Sequence, residues 1–257
     1  MTTPEQFKTG VQKAAEIILC SRDTVVLTGA GISTPSGIPD FRSPTSGLWE
    51  KYDPFEVASL NAFRYNPDKF YNWMRPLVRD IGAAQPNPAH IGLSRLESAG
   101  YIKTIITQNF DGLHQRAGSN HVLEVHGTLR TLTCTKCYQQ VDASGYTHPY
   151  IEDGIIPRCN RCEGILKPDV ILFGEQLPAR TWLQAQEQSK QCDTMIVAGS
   201  SLEVLPVAGL PRRAIDHGAH LIIINQSETY IDNRADVVLS HDVAQVIPWI
   251  TREMLGG

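Results

Sequence analysis

The chain has 257 residues, of which 42% are apolar and 19% charged, the composition of an ordinary globular protein. Its length suits one large domain or a domain carrying insertions. A formal net charge of −4 argues against nonspecific nucleic-acid binding, which needs a strongly basic face. Apolar runs such as residues 221–224 are too short to span a bilayer, and residues 1–10 carry no export or transit pattern.

Phe7, Val11, Ala14, Ala15 and Ile18 recur at helical spacing and predict a first helix. Residues 24–28 are β-branched and apolar without alternation, the pattern of a strand buried on both faces of a parallel sheet. Gly29-Ala30-Gly31 follows at once. Residues 102–107, 194–198 and 221–225 have the same strand character, each preceded by a helical stretch, at 87–99, 181–190 and 207–217. This alternation predicts a doubly wound, Rossmann-like α/β parallel sheet. Two regions break the rhythm. Residues 44–83 carry aromatics and prolines without a strand pattern and read as a small helical module, and residues 129–167 are polar and cysteine-bearing. The expected organisation is one α/β domain built from residues 1–43, 84–128 and 168–257, with two insertions forming a smaller lobe.

Four of the six cysteines form two Cys-x-x-Cys pairs, Cys134/Cys137 and Cys159/Cys162, with 21 residues between the pairs. Paired knuckles belong to reduced, cytoplasmic proteins rather than to disulfide frameworks. Four thiolates complete a tetrahedral zinc site with no position left for water, so the metal is expected to be structural. Two pairs together argue against a redox motif. Cys20 and Cys192 sit alone in apolar-flanked segments and are expected to be buried, inert thiols.

Gly29 and Gly31, directly after a buried strand, allow a backbone to approach a pyrophosphate, although a tight turn without ligand reads equally well from these glycines alone. The continuation Ile32 to Arg42 is too rich in Gly and Pro to become a helix and places Asp40, Phe41 and Arg42 just beyond the loop. Such a loop can fold over a dinucleotide, with Arg42 on phosphate. Gln108, Asn109 and Asp111 follow the strand at 102–107, where ligands of open α/β sheets bind. Their side chains suit ribose hydroxyls and a carboxamide, with an Asx-type helix cap at Asp111 as the alternative. His126 has the chemistry of a general base, against the alternative of a structural histidine, and the Gly127 that follows it is expected to allow close approach of a ligand. His114 and His121 have weaker settings.

Taken together these residues resemble the sirtuin (Sir2) family of NAD-dependent protein deacylases, from about Thr24 to Asp242. The motifs are the run from Gly29 to Arg42, Thr107-Gln108-Asn109 with Asp111 and Leu113-His114, His126-Gly127, the two cysteine pairs, Phe173-Gly174-Glu175, Gly199-Ser200-Ser201-Leu202 and the strand-ending Asn225. Ser33 to Ser36 and Gln115 to Gly118 look closest to the compact bacterial and archaeal branch. The resemblance implies that Ala30, Thr34, Asp40, Phe41 and Arg42 line the NAD pocket beside Gly29 and Gly31. Gln108, Asn109 and Asp111 would hold nicotinamide and its ribose, with Ile38 and Phe110. Gly199, Ser200, Ser201, Asn225, Asp242 and Val243 would take phosphate and adenosine. An acyl-lysine peptide would add as a strand between Gly174, Glu175 and Gln176 on one side and Glu203, Val204 and Leu205 on the other. Its acyl-lysine would enter past Val170 and Phe173.

The implied reaction consumes one water and releases nicotinamide, deacylated lysine and O-acyl-ADP-ribose, with His126 as base, Asn109 assisting and Phe41 covering the reactive face against water and free nicotinamide once nicotinamide has left. Phe110 departs from the family's usual Ile or Val. The desuccinylating branch carries a Tyr-x-x-Arg pair, whereas here Met74 stands third after Tyr71 and Arg75 comes one residue late, about 100° around a helix. Uncharged acyl groups are therefore expected. The expected protein is a monomer without nucleic-acid or membrane partners. Protein mono-ADP-ribosylation and a non-catalytic NAD or ADP-ribose sensor remain as alternative readings.

Overall fold

The computed structural model describes residues 3–41 and 47–256; Arg42 lies outside the described residues. Helix α1 (Pro4–Cys20) opens on Thr3, whose hydroxyl accepts from the Gln6 amide while the Gln6 side chain accepts from the Thr3 amide. Such a reciprocal cap stabilises by about 1 kcal/mol. It leads into β1 (Thr24–Thr28), buried at every position. Helices α2 (Pro54–Val57), α3 (Leu60–Tyr65) and α4 (Pro67–Ala83) follow, then α5 (Pro88–Ser98), β2 (Ile102–Thr107), α6 (Leu113–Arg116) and β3 (Val122–Glu124). Next come β4 (Gly127–Cys134), β5 (Gln140–Asp142), α7 (Ser144–Asp153) and β6 (Leu166–Val170). The chain ends with α8 (Ala179–Gln191), β7 (Thr194–Ala198), α9 (Leu210–Asp216), β8 (His220–Ile224), β9 (Val237–Leu239) and α10 (Val243–Leu255). No helix among the described residues is long and apolar enough to cross a membrane.

Six strands form one sheet in the order β3-β2-β1-β7-β8-β9, every pair parallel. One apolar core lies between this sheet and α1, α5 and α10, and another between the sheet and α8 and α9. Covering both faces removes any reason for alternation along the strands, which is why β1 and β7 read as continuous apolar runs. The strand order reverses between β1 and β7, so the loops leaving their carboxyl ends diverge and open a crevice, the usual ligand position in such sheets. A second, antiparallel sheet, β5-β4-β6, carries the cysteines. Tyr71 of α4 donates its hydroxyl to the Leu166 carbonyl, and Tyr150 of α7 donates to the Tyr71 carbonyl, tying the helical segment to this small sheet.

Three expectations shift. The strand expected at 221–225 ends at Ile224, which leaves Asn225 in the loop that follows it. The helix expected at 207–217 begins with a 3₁₀ turn over Val207–Gly209 and becomes α-helical at Leu210. Cys20 is exposed, not buried, whereas Cys192 is buried. The apolar stripe of α1 consists of Val11, Ala14, Ala15 and Ile18, and two residues beyond Ile18 is about 200° around the helix, on the opposite side.

Beneath β1, His90 and His114 are fully buried with ring centroids 4.9 Å apart. Burial lowers the His90 pKa from 6.5 to about 4, and burial followed by the His90 charge depresses His114 as well. The unfolded chain takes up protons as pH falls through 6.5, whereas the native chain resists until about 4. The stabilisation is therefore complete above pH 6.5 and is lost on descent towards pH 4. The urea midpoint should fall steadily across that window, and His90→Gln should flatten the dependence; an equally steep profile in the variant would refute this origin.

Candidate active site

The crevice owes its floor to an interlock of two loops. Gly31 donates its amide to the Gly199 carbonyl at 2.9 Å, and Gly29 donates to the Ala198 carbonyl at 3.3 Å. A methyl group on Gly29 or Gly31 would lie 2.9 Å from the Gly199 oxygen, and one on Gly199, whose φ is +63°, would overlap the Gly31–Ile32 peptide. The bare backbones thus serve the fit of the β1 loop against the β7 loop. The segment after β1 folds as two 3₁₀ turns, Ala30–Ile32 and Thr34–Ser36. Asn87 braces them by donating its amide to the Ile32 carbonyl and the Ser36 hydroxyl.

The β2 loop is ordered from below by hydroxyls. Thr28 gives its hydroxyl proton to Thr107, and Thr107 accepts from the Asn109 amide at 3.0 Å. His114 Nε2 lies 3.0 Å from Thr28 Oγ1; with the Thr28 proton committed to Thr107, the ring nitrogen is the donor. Asn109 donates its side-chain amide to the Gly29 carbonyl and to Ser33 Oγ, both at 3.1 Å. Ser33 passes its own proton to Asp111 at 2.7 Å. Asp111 also accepts from the Leu113 amide at the start of α6, so it is a helix cap as well as a neighbour of Asn109. Burial raises its carboxyl pKa against these hydrogen bonds.

His126 Nδ1 is 3.1 Å from the Gln108 carbonyl oxygen. A carbonyl only accepts, so Nδ1 carries the hydrogen and the basic lone pair belongs to Nε2. Gln108 also reaches across to donate to Ser200 Oγ at 2.8 Å. Gly127 has φ +78°, and a methyl group there would overlap the Asp169 carbonyl oxygen. The expected close approach at this glycine is therefore made by the β6 backbone of the same chain.

These groups line a cleft of about 1040 Å³, at the top of the ~300–1,000 Å³ range of single small-ligand sites. Gly29, Ala30, Gly31, Thr34, Asp40, Phe41, Gln108, Asn109, Phe110 and His126 lie along one stretch of its wall. Gly199, Ser200, Ser201, Asn225, Asp242 and Val243 lie along another, and Val170, Phe173, Gly174, Glu175, Gln176 and Val204 border a third. Ile38 is packed with Leu77, Ile81 and Leu113 instead, and Asp111 stands one hydrogen bond behind Asn109; neither lines the cleft.

An aromatic wall closes one side. Phe41 lies 5.0 Å from Trp49 and 6.3 Å from Phe110, and Trp49 stacks on Trp73 at 6.0 Å. Met74 is buried and lines the cleft, whereas Arg75 turns out to donate to the carbonyls of Ile151 and Glu152 on α7.

Away from the cleft, the sulfurs of Cys134, Cys137, Cys159 and Cys162 lie within 4.8 Å of one another. Cys134 is 3.5 Å from Cys162 and Cys137 is 3.7 Å from Cys159. A zinc tetrahedron with ~2.3 Å bonds has sulfur edges of about 3.8 Å, so the donor set fits zinc. The Lys136 and Cys137 amides donate to the Cys134 sulfur, which favours its thiolate.

The model of the Sir2 family matches residues 29–206, the stretch that contains the interlocked loops, His126 and the four cysteines. The chain belongs to the Sir2 family. A curated relative, NAD-dependent protein deacylase 2 of Archaeoglobus fulgidus, is 46% identical over 95% of this chain and 96% of its own. A solved structure described as a structural basis for the mechanism and regulation of Sir2 enzymes is 46% identical, with a TM-score of 0.90 over 96% of this chain and 98% of that one. A Sir2 variant with a deacetylated p53 peptide and 3′-O-acetyl ADP-ribose is 37% identical, with a TM-score of 0.89 over 95% and 98%.

Several residues of this Sir2 cleft escaped sequence reading. Trp49 and Trp73 were visible only as members of an aromatic-rich segment, and Met74 only as a departure from a motif. Ser33 sits inside the glycine run, where its tie to Asp111 depends on a loop 78 residues away. His241 lines the cleft beside Asp242 without any motif to mark it.

The zinc set predicts that chelation, or Cys159→Ser, lowers the melting temperature by about 5–10 °C, whereas Cys20→Ser leaves it unchanged. Equal behaviour of the two cysteine variants by differential scanning fluorimetry would remove the zinc assignment.

Proposed function

We propose that the chain is an NAD-dependent protein-lysine deacylase that forms nicotinamide, deacylated lysine and O-acyl-ADP-ribose. The observation that carries this reading is the convergence of a tautomer-fixed His126 with the Asn109 loop in one cleft. Curated and structural relatives named for NAD-dependent deacylation and for its products support it. Bound NAD supplies a ribose carbon made electrophilic by departure of nicotinamide. The loops of β1 and β7 would hold the dinucleotide, with Ser200 and Ser201 taking its phosphates and Asn225, Asp242 and Val243 its adenosine.

His126 Nε2 takes a proton from a ribose hydroxyl so that its oxygen can attack the acyl carbon, and the Gln108 carbonyl supports the resulting positive ring through Nδ1. Asn109, held by Gly29 and Ser33, orients the ribose. Phe41, backed by Trp49, shields the ribose carbon from water while the acyl oxygen captures it; one water consumed afterwards completes release of the lysine amine and leaves O-acyl-ADP-ribose. The acyl-lysine side chain passes Val170 and Phe173, and its peptide lies along Gly174 to Gln176. Since Met74 lines the cleft and Arg75 is engaged by α7, the acyl end meets no guanidinium among the described residues, which supports preference for uncharged acyl groups.

Incubation with NAD and a panel of acyl-lysine peptides should yield nicotinamide and O-acyl-ADP-ribose. Labelled protein instead of that product would support ADP-ribosylation, and binding without products would support a sensor. His126→Ala should lower kcat/KM by about 10²–10⁴-fold without loss of fold by circular dichroism; an active variant would remove its role as base. Met74→Arg should raise succinyl-peptide turnover relative to acetyl-peptide turnover, and no change in that ratio would overturn the acyl-end argument.

A further inference from the structure

The cleft edge at residues 172–176 is pinned from two sides. From the helical side, Phe173 donates its amide to the Ala58 carbonyl and Leu60 donates to the Phe173 carbonyl, a parallel bridge centred on Ser59. From the small-sheet side, the Glu175 carboxylate reaches back over its own turn. One oxygen, Oε2, accepts from the Leu172 amide at 2.9 Å and from Lys167 Nζ at 2.9 Å. The Glu175 amide closes the same turn by donating to the Leu172 carbonyl.

Lys167 has no donor to spare. Its other two protons go to the Pro168 carbonyl at 3.0 Å and the Val170 carbonyl at 2.9 Å. The side chains are only 15% and 19% exposed, so the pair is shielded from the solvent that weakens surface ion pairs. Lys167 is itself fixed in β6, where it pairs with Thr133 next to the Cys134–Leu166 pair. A rigid strand thus reaches through one ammonium group to an edge that has little regular structure of its own.

We propose that Lys167 and Glu175 are a positioning pair that holds residues 172–176 in place for the acyl-lysine peptide. This rests on the deacylase reading above. The carboxylate does not meet the peptide; it acts through the backbone of its own turn, so its loss changes peptide engagement and spares the NAD side, which is built on β1, β2 and β7. A purely structural pair would lower stability without distinguishing the two substrates.

The test is steady-state kinetics of the full chain, varying an acetyl-lysine peptide at saturating NAD and then NAD at saturating peptide. Lys167→Met and Glu175→Gln are each expected to raise the peptide KM about tenfold, the equivalent of ~1.4 kcal/mol, with the NAD KM and kcat changed less than about twofold. The double variant should be no worse than either single one, as expected for groups acting on each other, and Lys167→Arg should restore most of the peptide KM. Glu175→Gln keeps an acceptor for the Leu172 amide, which guards against simple misfolding. Unchanged peptide KM, equal rises in both KM values, or additive losses in the double variant overturn the pair's role. A wild-type chain inactive on every acyl peptide overturns the deacylase reading and this proposal together; an active wild type with no split in its variants overturns the proposal alone.

Discussion

The geometry of the cleft depends on how closely the loop after β1 can approach the loop after β7. Two parallel strands stand about 4.8 Å apart, so two loops that leave them on the same edge collide unless their backbones are bare where they meet. Gly29, Gly31 and Gly199 supply that bareness, and the Gly31 amide to Gly199 carbonyl hydrogen bond uses it. Once the loops interlock, Ser33 is placed to receive Asn109, and the β2 loop follows. The hydroxyls of Thr28 and Thr107 support that loop from beneath.

A second constraint operates where the small sheet meets the cleft. There β4 leaves His126 through Gly127, whose backbone passes against the Asp169 carbonyl, and β6 runs alongside. The base and the cleft edge are thereby built on adjoining backbones. The cysteine set holds the other end of these strands, so a metal that touches no reacting atom still fixes where two cleft walls begin.

Much of this was legible because it is local. Residues 24–28 and 194–198 read as strands because burial at every position leaves a run with no alternation, residues 102–107 because their second half is buried in the same way, and two Cys-x-x-Cys pairs announce their chemistry by spacing alone. Gln108, Asn109 and His126 were legible because motif residues at strand ends face the crevice. What sequence could not give were relations set by tertiary packing. Gly127 looked like room for a ligand and is room for a neighbouring backbone. Glu175 carries a motif position at the cleft edge, but its carboxylate is engaged by Lys167, eight residues away with no periodicity to signal it. Cys20 looked apolar by its neighbours, yet the stripe of α1 faces the other way. Ile38 and Asp111 carry motif positions but stand behind the wall, since the side chains in front of them take up the surface.

The position of β1 between β2 and β7 has a consequence for how the molecule is made. One edge of β1 finds its partner in β2 after a moderate length of chain, but its other edge waits for β7, which lies in the last third of the sequence. Until then a strand with an apolar centre has an open row of amides and carbonyls, the arrangement most prone to joining another chain. Closing so long a connection also slows acquisition of the native topology. The central strand that organises the cleft thus makes the sheet pairing that spans the longest stretch of chain, and its second edge stays open until residues 194–198 are made.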